Sequence, residues 1–116
     1  MAAERMRQVN ELLRITLAEL VQRDVDLSPG SFVTITRVET SRDLKHAAVF
    51  VTILPDGKRA STMNELVAAR SQVQRDLGKR ISMKFTPKIH FEYDQGGIKA
   101  QGIFKALDSL DSEEEE

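Results

Sequence analysis

The chain has 116 residues, 41% hydrophobic and 30% charged, with a formal net charge of −1 and no cysteine. That length suits one domain with one core, and the composition favours a folded chain over disorder. Disulfides and thiolate metal sites are excluded, and no apolar run approaches the roughly 20 residues of a membrane span. The opening MAAERMRQVNELLR has no apolar signal-peptide centre, so a cytoplasmic monomer is expected.

The net charge hides an asymmetry. Six acids and no base fall in residues 108–116. Without them, 17 bases face 12 acids, a net of +5 for residues 1–107. The expected organisation is a folded body over 1–107 and an acidic, disordered tail over 108–116.

Residues 4–22 read as an amphipathic helix, with Met6, Val9, Leu12, Leu13, Leu17, Leu20 and Val21 at three- and four-residue spacing. Leu27 to Ser31, containing Pro29-Gly30, is a turn. FVTITRVET (32–40) is β-branched and predicts a strand. HAAVFVTIL (46–54) predicts a second, antiparallel to the first because the connection is short. Val49, Val51 and Ile53 share one face of it and Phe50 and Leu54 the other, so it is expected inside the sheet.

After the Pro55-Asp56-Gly57 turn, Thr62-Met63-Asn64-Glu65 fits a capping box. The helix it opens should have Leu66, Ala69, Val73, Leu77 and Ile81 on its apolar side. Ser71 and Gly78 are its weak points, which predicts two helices or one kinked helix. PKIHFEYD (87–94) alternates cleanly, with Ile89, Phe91 and Tyr93 inward, as in a strand covered on one face. Reached by a long crossover, it should run parallel to a neighbour. Gln95-Gly96-Gly97 is a turn, and Ile98, Ile103, Phe104, Leu107 and Leu110 suggest a short last helix. The expected class is α+β: a three-stranded mixed sheet with helices packed on one face.

Catalytic signals are absent from the sequence. His46 and His90 are the two imidazoles, both in strand patterns and without metal-ligand spacing; both read as structural or solvent-exposed. No nucleophile elbow, phosphate-binding glycine loop or H-E-x-x-H motif occurs. Asp43 and Asp94 fall at turns, where Asp accepts from backbone N–H groups. Neither an enzyme nor a cofactor or metal is expected.

The basic cluster is more informative. Arg70, Arg75, Lys79, Arg80, Lys84 and Lys88 fall within 19 residues holding one acid, Asp76. Arg75, Lys79 and Arg80 are spaced for one side of a helix. Concentrated positive charge fits a polyphosphate partner; the bland alternative is a solvated helix face. Arg37, Arg42 and Lys45, around the first strand connection, are weaker candidates. Most of the five Phe look committed to the core, which leaves backbone and shape recognition over base stacking.

The element order resembles the type II KH arrangement, and within it the bacterial ribosome-binding factor A family. VETSRDLKHAAVFVTIL (38–54) and AARSQVQRDLGKRISMKFTPKIHFEYD (68–94) carry the likeness, which covers about residues 5–107. No G-x-x-G loop lies between Glu65 and Arg80. The family has an Ala-x-Gly interhelical kink instead, and Ala69-Arg70-Ser71 stands there with Ser for Gly. The resemblance implies an RNA-binding factor that joins the small ribosomal subunit late in assembly. It implies contact with 16S rRNA, and with ribosomal proteins, in support of maturation of the rRNA 5′ end and growth in the cold. A protein-interaction module whose basic face meets an acidic protein is the alternative.

Overall fold

The first apolar stripe forms α1, Ala2–Asp24, in a computed structural model that describes residues 2–96 and 102–107. Leu13, Leu17, Leu20 and Val21 are buried on one face, as their spacing dictates. Leu12 is not part of that face: it is 49% exposed. It stands about 100° around the helix from Leu13, and Thr16 occupies the buried edge instead.

The sheet has the order β1-β2-β3, with β1 Phe32–Thr40, β2 His46–Leu54 and β3 Lys88–Tyr93. β1 and β2 are antiparallel, while β2 and β3 are parallel. The central place of β2 explains its two apolar faces. Ala47, Val49, Val51 and Ile53 face α1 and the second helix in the main core. A bulge between Ile35 and Arg37 shifts the register of β1. Burial accordingly changes phase, from Ile35 to Val38 and Thr40, as an extra residue requires. The displaced Thr36 donates its hydroxyl to the Asp94 carboxylate at 2.7 Å, tying β1 to the end of β3.

The second helix, α2, spans Arg59–Arg80 and follows directly on a 3₁₀ turn, Asp56–Lys58. One expectation fails here. Thr62 is no N-cap: it lies inside the helix, fully buried, with its hydroxyl on Ser31 Oγ at 3.2 Å. Glu65 does cap a backbone N–H, but a distant one, accepting from Ser28 N at 2.9 Å and Ser28 Oγ at 2.8 Å. The helix passes through Ser71 and Gly78 as one element, the single-helix form of the two that were expected. Both residues are exposed. The propensity penalty of a Ser and a Gly, roughly 1–1.5 kcal/mol together, is small beside the burial of Leu66, Val73 and Leu77, each contributing roughly 1.5–3 kcal/mol.

The opposite sheet face is not bare, contrary to the one-face expectation. Phe50 is fully buried there with Ala48, against Ile103 and Phe104 of a helical stretch over 102–107. Arg37 places its guanidinium 3.7 Å from the centre of the Phe50 ring. The expected acidic tail, and the Gly97, Ile98 and Leu110 positions of the last turn and helix, lie outside the described residues.

Candidate nucleic-acid interface

One end of the sheet gathers most of the predicted cations. Two connections and the start of α1 meet there. The β1–β2 turn, residues 41–45, is held by Ser41 N to His46 O at 2.8 Å and Leu44 N to Ser41 O at 2.9 Å. The α2–β3 connection, residues 81–87, joins it where Lys88 N donates to Lys45 O at 2.9 Å. The start of α1 supplies Arg5. Gln74 fixes the exit of the connection from α2: its Nε2 donates to Pro87 O at 3.0 Å and its Oε1 accepts from Ile89 N at 2.8 Å.

Lys79 and Arg80 close α2, Lys84 lies on the connection, and Lys88 opens β3. Arg42 and Lys45 sit on the turn. All six are exposed. Arg80 pairs with Glu19 of α1, whereas Arg42, Lys45, Lys79, Lys84 and Lys88 form no ion pair with a described residue. Arg75 stands further up α2, donating to Gln72 Oε1 at 2.6 Å. Half-buried Arg70 lies beyond it, at the centre of the helix beside Ala69. Arg37 belongs elsewhere. It faces Phe50 across the sheet, paired with Glu39 and 3.8 Å from Asp94.

Between these three segments lies a groove of about 720 Å³. Arg5, Lys45 and Lys84 line it, together with Asp43, Leu44 and Phe85. Asp43 accepts from Ser41 Oγ at 2.7 Å and Lys45 N at 3.0 Å. These bonds, the hydroxyl first, hold its carboxyl below the ordinary carboxylate range. Leu44 adopts the left-handed conformation, φ 63°. Phe85 is 75% exposed and Phe32 69%, so these two are the exceptions to the expectation that most of the five Phe are committed to the core.

Two of these residues escaped the sequence reading. Arg5 carried a usable signal: its i+3 and i+4 neighbours are Gln8 and Val9, while Arg7 and Arg14 have acids in helical reach. Phe85 sits in SMKFTP, which has neither helical nor strand period, so nothing in the sequence told inward from outward. The two histidines meet on the Phe50 side of the sheet, His46 Nδ1 3.1 Å from His90 Nε2. Among the described residues no group of three or more His, Asp or Glu could hold a metal ion, and no helix is long and apolar enough to cross a membrane.

The sequence profile described as "Ribosome-binding factor A" matches residues 5–107. A ribosome-binding factor A of Halothermothrix orenii is 34% identical over 116 residues, covering 99% of this chain and 95% of that protein. The solution structure of a Thermotoga maritima protein superposes with a TM-score of 0.69 at 32% identity, over 84% of this chain and 93% of that one. A Thermus thermophilus ribosome-binding factor A homology model, fitted into the cryo-EM map of a complex with the 30S subunit, has a TM-score of 0.63 at 23% identity, over 76% and 94%. With a profile match across nearly the whole described fold and a full-length relative at this identity, the chain belongs to the ribosome-binding factor A family.

Proposed function

We propose that this protein binds the small ribosomal subunit late in its assembly, through 16S rRNA, and carries out no covalent chemistry. The observation that carries the reading is the basic end of the sheet. Lys45, Lys79, Lys84 and Lys88, with Arg42, project from the β1–β2 turn and from the end of α2 through its connection into β3, and have no acid partner among the described residues. Family membership supports it, as does the 30S complex of the Thermus relative. Arg70, Arg75 and Arg80 extend the surface along α2.

Cations at fixed spacing pair with phosphates and read backbone shape, not sequence. A protein that binds one rRNA arrangement better than its competitors shifts the population toward it. That is sufficient to assist maturation of the 16S 5′ end, and it matters most in the cold, where RNA rearranges slowly. The same reading places the protein in the cytoplasm as a monomer. Residues 1–107 form the RNA-binding body, ribosomal proteins supply further contacts, and the acidic residues 108–116 serve as a solubilising tail.

Sedimentation of cell extract through a sucrose gradient tests it. The protein should travel with free small subunits and their precursors, and be lost from them at raised salt. Presence only at the top of the gradient at low salt would refute the reading.

A further inference from the structure

The groove at the basic end has a composition that phosphate contacts leave unexplained. Three of its side chains are cations, Arg5, Lys45 and Lys84. Phosphate binding needs no more than these, yet an aromatic ring and a carboxylate share the same surface. Phe85 keeps three-quarters of its surface in water, and the Lys84 ammonium lies 5.7 Å from the centre of its ring. Leu44, beside it in the lining, is held with φ at 63°, a conformation that disfavours a branched side chain. Asp43 receives both of its hydrogen bonds on Oδ1, so Oδ2 has no partner among the described residues.

We propose that this groove takes one unpaired nucleotide of the RNA. The base stacks on Phe85, the phosphates lie among Arg5, Lys45 and Lys84, and Asp43 Oδ2 accepts from an exocyclic amino group. The inference rests on the RNA-binding reading above and adds a base-contacting subsite to it. Every nucleobase has a π face for an exposed ring, and only bases out of a helix can be reached this way. A carboxylate in the groove repels phosphate and the keto oxygens that flank the single N3–H of uracil, but it matches the exocyclic amino group of cytosine, adenine or guanine. An acidic peptide would satisfy the three cations, yet it would leave the ring uncovered and face Asp43 with like charge.

The chain contains no tryptophan, which makes Phe85→Trp a unique fluorescent reporter inside the groove. Three probes are titrated: an eight-nucleotide oligocytidylate, the oligouridylate of equal length, and an abasic strand of the same length and charge. Stacking quenches the new tryptophan with the first two and leaves it unquenched with the abasic strand. In the parent background, Phe85→Ala weakens oligocytidylate binding by about 5- to 100-fold and leaves the abasic strand unaffected. Oligocytidylate binds more tightly than oligouridylate, and Asp43→Ala closes that gap.

Equal quenching by the abasic strand, or unchanged oligocytidylate binding by Phe85→Ala, overturns the proposal. If Phe85→Ala loses small subunits while its oligonucleotide affinities stay at the parental values, the ring meets a protein and the proposal is equally overturned. Co-sedimentation of the parent with small subunits is measured alongside. Its failure refutes the RNA reading itself, whereas a parent and a Phe85→Ala variant that co-sediment equally, with oligonucleotide binding insensitive to the ring, remove the subsite alone.

Discussion

Helix α1 and the junction of α2 with β3 each carry four basic residues, but they treat them differently. On α1, Arg5, Arg7, Arg14 and Arg23 are accompanied by Glu4, Glu11, Glu19 and Asp24. Arg7 pairs with Glu4, Arg14 with Glu11, and Arg23 with Asp24 and with Asp76 of α2. At the junction, residues 79–88 hold four cations and no acid, and among the described residues Arg80 alone of the four reaches a carboxylate, on α1. Exposed ion pairs add only about 0–1 kcal/mol each to stability. Their larger effect is to cancel the field that a polyanion would meet. A count of bases along the chain therefore overstates α1 as a docking surface and understates the junction.

The strongest way to break this comparison is a matched pair of double reversals. Lys79→Glu with Lys84→Glu should fold as the parent does, because both residues are exposed and surface changes stay within about 0.5 kcal/mol each. Its affinity for small subunits should fall by about 100-fold or more at low salt. Arg7→Glu with Arg14→Glu changes the charge equally but acts on cations that are already neutralised, so binding should fall much less. Equal losses in pelleting assays would show that net charge, and not its placement, governs binding.

Salt dependence sharpens the same point. If about four to six phosphates are neutralised, log K should fall against log salt with a slope of roughly −3 to −5. The junction double reversal should flatten the slope by about 2, one unit for each phosphate contact removed. The α1 double reversal should leave it unchanged. A parental slope near zero in a filter-binding series would argue for an interface that is not electrostatic.

Arg80 lies between the two regions, because it belongs to the junction by position and to α1 by its partner Glu19. RNA must break that pair to use the guanidinium. The pair is exposed and worth up to about 1 kcal/mol, so Glu19→Gln should tighten RNA binding by up to about five-fold. Weaker binding of the folded variant would mean that the pair positions Arg80 for its phosphate.

Much of this arrangement was legible in the sequence. β1 and β2 were placed at their observed ends because their β-branched runs are bounded by turn residues, and β2 showed its central position through apolar side chains on both faces. Local pattern failed where a distant contact decides. Thr62-x-x-Glu65 has the form of a capping box, yet Thr62 packs on Ser31 and Glu65 reaches Ser28, 37 residues away in sequence. Ser71, a weak point by its local preference, does not divide α2 into two helices: it faces solvent on a helix whose other side is held by the core. Ser71→Gly should consequently cost about 0.5 kcal/mol in chemical denaturation, the difference in helix propensity. A gain in stability would indicate a kinked backbone that Gly relieves, with the junction displaced relative to α1. The basic cluster was visible as a run of charges. Its separation from Arg37 was not, because the sheet face and the Asp94 contact of that arginine depend on the bulge at Thr36.

The smallest expected effect concerns Asp43, the acid that shares the groove with the free cations. Unlike the acids of α1, it is held by a hydroxyl and a backbone N–H, Ser41 Oγ first and Lys45 N second, and those bonds lower its pKa. A folded-state pKa below the unfolded value stabilises the fold above the unfolded pKa, near 3.9, and the benefit disappears as pH falls through the folded value. Asn at this position can still accept both bonds with one oxygen but carries no charge. Asp43→Asn should therefore be less stable than the parent at neutral pH by about 0.5 kcal/mol or less, given the exposure of the side chain. The difference should shrink below pH 4 and vanish once the parental carboxyl is protonated. At neutral pH the same variant should bind folded rRNA backbone slightly more tightly, since it removes one negative charge from the basic end. Urea denaturation at several pH values reads the first effect, and low-salt RNA titration reads the second. A stability gap that persists unchanged at pH 2.5 would show that the turn depends on the shape of the side chain and not on its charge.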